Sequence, residues 1–240
     1  MAALSLSNVG PIYRREIRSY FNSAVAYVVI VVFLAIVGWY FSNNLFLMNI
    51  ASMRIVFELV PLVFLFFIPA VTMRLLAEEK KSGTLELLTT KPVRDVEIVL
   101  GKFLAAWTLL AATLAPTLIW LVTLMILGNP DLGPVAAGYL GLMLTGGVYI
   151  AIGIFASSLT ENQIVAFLIG LVIVLAFFLA DKVLLYVPGF LAPAVEYLGI
   201  DYHFSSIARG VIDSRDIVYF GSILGFSLLM ATASLERRKW

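Results

Sequence analysis

The chain has no cysteine and a single histidine, His203. Disulfides and thiolate metal sites are therefore excluded, and a lone imidazole builds no metal centre without carboxylate help. Charge is scarce too. Only 13% of the 240 residues are Asp, Glu, Lys or Arg, the net charge is +1, and the basic residues are scattered, so there is no nucleic-acid footprint. A phosphate loop of the form Gly-x-x-x-x-Gly-Lys-Ser/Thr is missing as well. The one Gly-Lys pair, Gly101-Lys102, lacks both the upstream glycine and the following hydroxyl, so nothing in the chain reads as a nucleotide-hydrolysing site.

What is present is hydrocarbon. Hydrophobic residues make up 62% of the chain and the mean hydropathy is +1.02, far above the roughly 45–50% apolar content of ordinary soluble domains. Six runs are long enough to cross a bilayer as helices: approximately 24–41, 55–76, 103–127, 134–159, 164–180 and 217–235. They are continuously apolar and do not alternate with period two, which excludes a barrel. The expected fold is an all-α polytopic bundle with residues 1–240 as one transmembrane domain. The stretch 183–200 is apolar, but Pro188, Gly189 and Pro193 break a spanning helix and Glu196 opposes mid-membrane burial, so it reads as interfacial or re-entrant.

Lys and Arg accumulate in cytoplasmic loops near span ends. Arg14, Arg15 and Arg18 precede the first run; Arg74, Lys80, Lys81, Lys91, Arg94 and Lys102 lie around the second connection; Arg237, Arg238 and Lys239 close the chain. These are twelve of sixteen basic residues, which places both termini in the cytoplasm and leaves Arg54, Lys182, Arg209 and Arg215 outside. The first run follows a long polar leader with no small-x-small site behind it, so it reads as a retained anchor and not a cleaved signal. Ion-coupled carriers need ionisable groups inside their spans. Here only Glu58, one turn into the second run where Arg54 can pair with it, and Asp181 with Lys182 come close, all as rim residues.

Five local patterns stand out. In the leader, 1–23, Val9, Ile12, Tyr13, Ile17 and Phe21 recur at helical spacing opposite Arg14, Arg15 and Arg18, which predicts a helix in the membrane interface with its apolar side in lipid. Between the second and third runs, residues 77–97 concentrate charge. The second span is expected to continue helically into water through Leu76 to Lys81 and to break at Ser82-Gly83. Thr84 then caps a short helix on which Leu85 and Leu88 form an apolar knob, ended by Pro92. The loop Ser157-Ser-Leu-Thr-Glu-Asn-Gln163 is a second cytoplasmic turn, with Thr160 as a cap and Thr160, Glu161, Asn162 and Gln163 as a smaller contact surface. Before the last run, Arg209, Asp213, Arg215 and Asp216 are either gate residues or the pins of an interfacial helix. Gly138, Gly141, Gly146, Gly147 and Gly153, with Ala166-x-x-x-Gly170, license close helix packing inside the bundle or across a dimer seam.

The stretch Met73-Arg-Leu-Leu-Ala-Glu-Glu-Lys-Lys-Ser-Gly-Thr-Leu-Glu-Leu-Leu-Thr-Thr-Lys-Pro-Val, with Glu97-Ile-Val-Leu-Gly-Lys-Phe after it, resembles the second connection of ABC-2-type permeases. The Ser157 loop and Ser206-Ile-Ala-Arg-Gly-Val-Ile-Asp-Ser-Arg-Asp resemble later motifs of that family, nearest to its gliding-motility branch. The resemblance implies a non-catalytic six-helix permease in the bacterial inner membrane. It would pair with a like or sister chain, bind two cytoplasmic ATPase subunits that carry the ATP and magnesium, and admit an accessory membrane or periplasmic subunit. Glu78, Glu79, Lys80, Ser82, Gly83, Thr84, Leu85, Glu86 and Leu88 would form the coupling helix, and export is the expected direction. The rival readings are a membrane anchor for a motility or secretion assembly, and an autonomous carrier.

Overall fold

A computed structural model of the chain describes residues 7–48, 52–84, 93–128, 130–183 and 188–237. Among them there is no strand. The helices are α1 (Val9–Asn22), α2 (Ala24–Phe46), α3 (Arg54–Thr72), α4 (Arg74–Lys81), α5 (Asp95–Leu114), α6 (Leu118–Leu127), α7 (Leu132–Leu159), α8 (Gln163–Leu179), α9 (Ala192–Leu198), α10 (Ile200–Ala208) and α11 (Ser214–Glu236). A single 3₁₀ turn at Ala115–Thr117 links α5 to α6 where Pro116 interrupts the ladder, so Asp95–Leu127 runs as one rod.

Five helical segments are long and apolar enough to cross a membrane: Ala24–Phe46, Arg54–Lys81, Asp95–Leu127, Leu132–Leu159 and Ser214–Glu236. The remaining apolar run forms α8, whose 17 residues lie at the short end of the roughly 17–25 that span a bilayer. It stops at the Asp181 turn, where Gly199 closes on it; a Cβ on Gly199 would come within 2.9 Å of the Asp181 side chain.

Helix α7 is the axis of the bundle. Its glycines allow close packing inside the bundle. A methyl group on Gly138 would overlap the Phe57 ring, on Gly146 the Leu110 side chain, and on Gly153 the Thr72 hydroxyl, so α3 and α5 approach α7 at backbone distance. Gly141 receives Phe204 and Ile207 of α10. Helix α2 sits at the periphery, stacked on α3 through Phe33 and Phe64 at 5.9 Å and on α6 through Phe41 and Trp120 at 5.5 Å.

Three expectations need correction. The apolar stripe of α1 faces the bundle and not lipid alone: Ile12 and Tyr20 are buried, and Ile12 fills the space above Gly101 of α5. The Tyr13 hydroxyl also meets Thr108 at 3.2 Å. Pro193 does not interrupt a helix but occupies the first turn of α9, where its missing N–H costs no bond. Thr160 is not the cap of α8; Asn162 is, its side chain accepting from the Ile164 N–H at 2.9 Å.

Candidate functional site

Helices α1 and α4, the α7–α8 turn and the Ser234 end of α11 gather at one end of the bundle. Helix α4 continues α3 after a break at Met73, giving the rod Arg54–Lys81. A single hydroxyl splices the break. Ser157 Oγ of α7 accepts from the Leu76 N–H at 3.0 Å and the Ala77 N–H at 2.9 Å, and donates to the Met73 carbonyl at 2.8 Å. A side chain entering the backbone ladder in this way is a recognised origin of a helix bend. One residue on, the Ser158 carbonyl accepts from Lys80 Nζ of α4 and from Ser234 Oγ of α11. The root of α4 is thus bonded to both α7 and α11.

Its outer side is tied just as firmly to α1 and α5. Lys102 of α5 is 1% exposed, and its Nζ lies 3.1 Å from Glu16 Oε1 of α1 and 2.9 Å from Glu79 Oε1 of α4. Arg15 Nη2 meets the same two oxygens at 2.8 Å each. Two cations therefore bridge two carboxylates drawn from three helices. Burial on its own would raise the Glu16 carboxyl; Lys102 and Arg15 outweigh it and hold the group below its ordinary value of 4.5. Nearby, the Arg74 guanidinium stands 5.8 Å from the centre of the Tyr20 ring, and burial, with Glu16 adding to it, pushes the Tyr20 phenol above its ordinary range.

Because Glu16 is depressed in the folded state, it contributes stability that is present above the unfolded carboxylate value and is lost as pH falls through the folded one. The predicted consequence is that α1 amides stay protected from hydrogen exchange at neutral pH and lose protection as the medium is acidified below about 4.5. In a Glu16→Gln chain that acid step should shrink.

A second tie holds the leader. Glu97, in the first turn of α5, accepts from the Arg94 N–H at 2.9 Å and from the backbone and side-chain nitrogens of Asn8, both at 3.1 Å. Gly101 allows the contact between α1 and α5; a Cβ there would press to 2.7 Å of Ile12.

The sequence candidates on the charged connection divide in two. Glu79 and Lys80 turn inward and bond within the chain, whereas Glu78, Ser82 and Thr84 remain exposed. Gly83 adopts φ +69°, a left-handed turn open to glycine, and there the rod ends as the sequence predicted. Ser82 and Thr84 hydroxyls pair across that turn at 2.9 Å. A cavity of about 530 Å³ opens between α1 and α4, with Arg15, Tyr20, Arg74, Glu78 and Thr84 in its walls. Leu85, Glu86 and Leu88 lie outside the described residues. Of the second contact group, Thr160 accepts from the Asn162 N–H at 3.1 Å, and Glu161 and Asn162 are exposed.

At the opposite end, the four gate candidates do not converge. Among the described residues no ion pair joins Arg209 or Arg215 to Asp213 or Asp216. Asp213 caps α11 by accepting from the Arg215 N–H at 2.9 Å, Arg209 bonds the Ser205 carbonyl at 3.1 Å, and Asp216 meets His203 at 2.7 Å. The rim pairs read from sequence are present: Arg54 with Glu58 at 2.9 Å, both exposed, and Lys182 with Asp181 at 3.3 Å, joined by Asp201 at 2.8 Å.

Residues 14–198 match the family model described as ABC-2 family transporter protein. The chain belongs to the ABC-2 transporter family. No curated protein matches it. The matched region of this ABC-2 family member includes α1 from Arg14 onward, the α3–α4 rod, Lys102 and Ser157, so the spliced and charge-bridged end lies within the family's own territory. Sequence reasoning missed Lys102, Glu16 and Ser157. Lys102 counted only as one more positive charge beside a span, because its partners Glu16 and Glu79 come from other helices.

Proposed function

We propose that this chain is the membrane-spanning permease subunit of an ATP-driven ABC-2 transporter, and that the α4 end is where a separate cytoplasmic ATPase pushes on it. The observation that carries the reading is the rigidity of the α3–α4 rod at its root. Ser157, Lys80 and the ring of Arg15, Glu16, Glu79 and Lys102 leave α4 little freedom to move without α1, α5, α7 and α11. Exposed Glu78, Ser82 and Thr84 and the cavity between α1 and α4 form the surface offered to the partner. Residues 85–88 would complete it with the Leu85 and Leu88 knob, and the exposed Glu161 and Asn162 turn is a smaller second contact.

In this reading α8 serves as the sixth span, both termini face the cytoplasm, and α9 and α10 cap the outer side. Two ATPase subunits hold the ATP and magnesium, a second permease chain completes the path, and closure of the ATPases tilts the rod to open a route for export. ATP drives this by binding one arrangement better than the other.

Co-purification tests it. The wild-type chain should retain a nucleotide-binding subunit that Glu86→Arg or Leu88→Asp releases. Retention unaffected by both changes would leave the autonomous carrier standing. A retained ATPase that moves no solute in reconstituted vesicles would favour the anchor.

A further inference from the structure

His203 is 1% exposed and lies where α10 meets α11. Its two ring nitrogens both face acceptors. Nδ1 is 2.7 Å from Asp216 Oδ1, and Nε2 is 3.0 Å from the Tyr197 carbonyl oxygen. A carbonyl oxygen cannot donate, so Nε2 carries a proton. If Nδ1 carried none, its lone pair would point at a carboxylate oxygen at hydrogen-bond distance.

We infer that His203 is held as an imidazolium, and that this bound proton fastens the helices α9 and α10 to α11. Placing the proton on Asp216 instead would also avoid the clash, but three observations favour the imidazole. Asp216 sits in the first turn of α11, with its N–H bonded to the Asp213 carbonyl, where the helix N-terminus stabilises a carboxylate. The Tyr219 ring stacks on the imidazole at 3.8 Å and 21°, presenting the π face that attracts a cation. Tyr197 and Tyr202 close the sides at 4.9 and 5.1 Å, both near perpendicular, with Phe220 at 6.5 Å, so the ring occupies an aromatic cage.

The surrounding charge agrees. At the end of α8, Asp181 and Lys182 meet Asp201 of α10, two carboxylates for one ammonium, which leaves an excess negative charge beside the cage. Tyr149 of α7 lies within electrostatic reach of Asp181, Asp201 and Tyr219 and carries no charge of its own at neutral pH. Loss of the proton would break a charge-assisted bond between α10 and α11 or the bond to the α9 carbonyl, since a neutral imidazole can donate to only one of them. The Tyr219 hydroxyl, which donates to the Leu198 carbonyl at 2.6 Å, is a further polar tie across that junction.

Because the chain has one histidine, the test is unambiguous when the full chain is purified through a histidine-free tag, labelled with ¹⁵N-histidine and placed in lipid nanodiscs. Both ring nitrogens are expected to bear protons at neutral pH. A ring nitrogen without a proton under those conditions overturns the inference. In a second measurement, Asp216→Asn is expected to speed hydrogen exchange across residues 192–208 by about tenfold or more, the scale of one lost charge-assisted bond. Exchange equal to wild type there would refute the fastening role. Should the variant not fold, the wild-type spectrum decides alone.

Discussion

Replacing Lys102 with methionine is expected to free α1 from the bundle and to cost roughly 3–5 kcal/mol of stability, the usual penalty for stranding buried charge. The magnitude follows from what Lys102 touches. It is 1% exposed and bonds Glu16 and Glu79, which are themselves mostly covered. Arg15 reaches the same oxygens but is half exposed, so water weakens its share of the attraction. Without the ammonium, two carboxylates on α1 and α4 face each other with only the half-exposed Arg15 between them. The prediction is checked by limited proteolysis after the α1 arginines, which should accelerate sharply in Lys102→Met. Glu16→Gln and Glu79→Gln added to Lys102→Met should restore most of the loss, because a neutral trio leaves no buried charge unpaired. If the triple variant is as unstable as the single one, Lys102 acts by packing and not by charge.

Ser157→Ala is expected to loosen the joint between α3 and α4. One hydroxyl satisfies two buried N–H groups and donates to one carbonyl, and each buried group left without a partner costs about 1–3 kcal/mol. Some of that loss is recovered if the rod straightens into a regular ladder, so a net of roughly 2–4 kcal/mol is expected, or a melting shift on the order of 5–15 °C. The amides of Leu76 and Ala77 should exchange faster than in wild type while those of α8 do not change. Slower exchange at Leu76 and Ala77 would mean that the straightened helix is the preferred state and that Ser157 imposes the bend at a cost.

The apolar runs made the spans legible because a membrane helix carries its evidence in its own residues: length, hydropathy and the absence of charge. The glycines of α7 announced close approach for the same reason. Their partners could not be read, since Phe57, Leu110 and Thr72 come from other helices. The end of the α3–α4 rod at Gly83 was legible, because a left-handed turn favours one residue type. The α1 stripe was legible as a helix but not as a packed one; an amphipathic pattern looks the same whether lipid or α5 covers it. Lys102 and Glu16 are 86 positions apart, and nothing local marks a lysine beside a span as paired inward. His203 escaped notice because a single histidine reads as a poor metal ligand or an ordinary interface residue, whereas its cage is assembled from α9, α10 and α11.

The force path itself depends on the exposed face of α4 being gripped by another subunit. As the chain has no cysteine of its own, Thr84→Cys supplies one reporter at the tip of the rod, and its reaction with a membrane-impermeant maleimide can be followed in inside-out vesicles with and without the nucleotide-binding subunit bound. The account predicts rapid labelling once that subunit is stripped and strong protection when it returns. Equal labelling in both conditions, or labelling from outside intact cells, would contradict it.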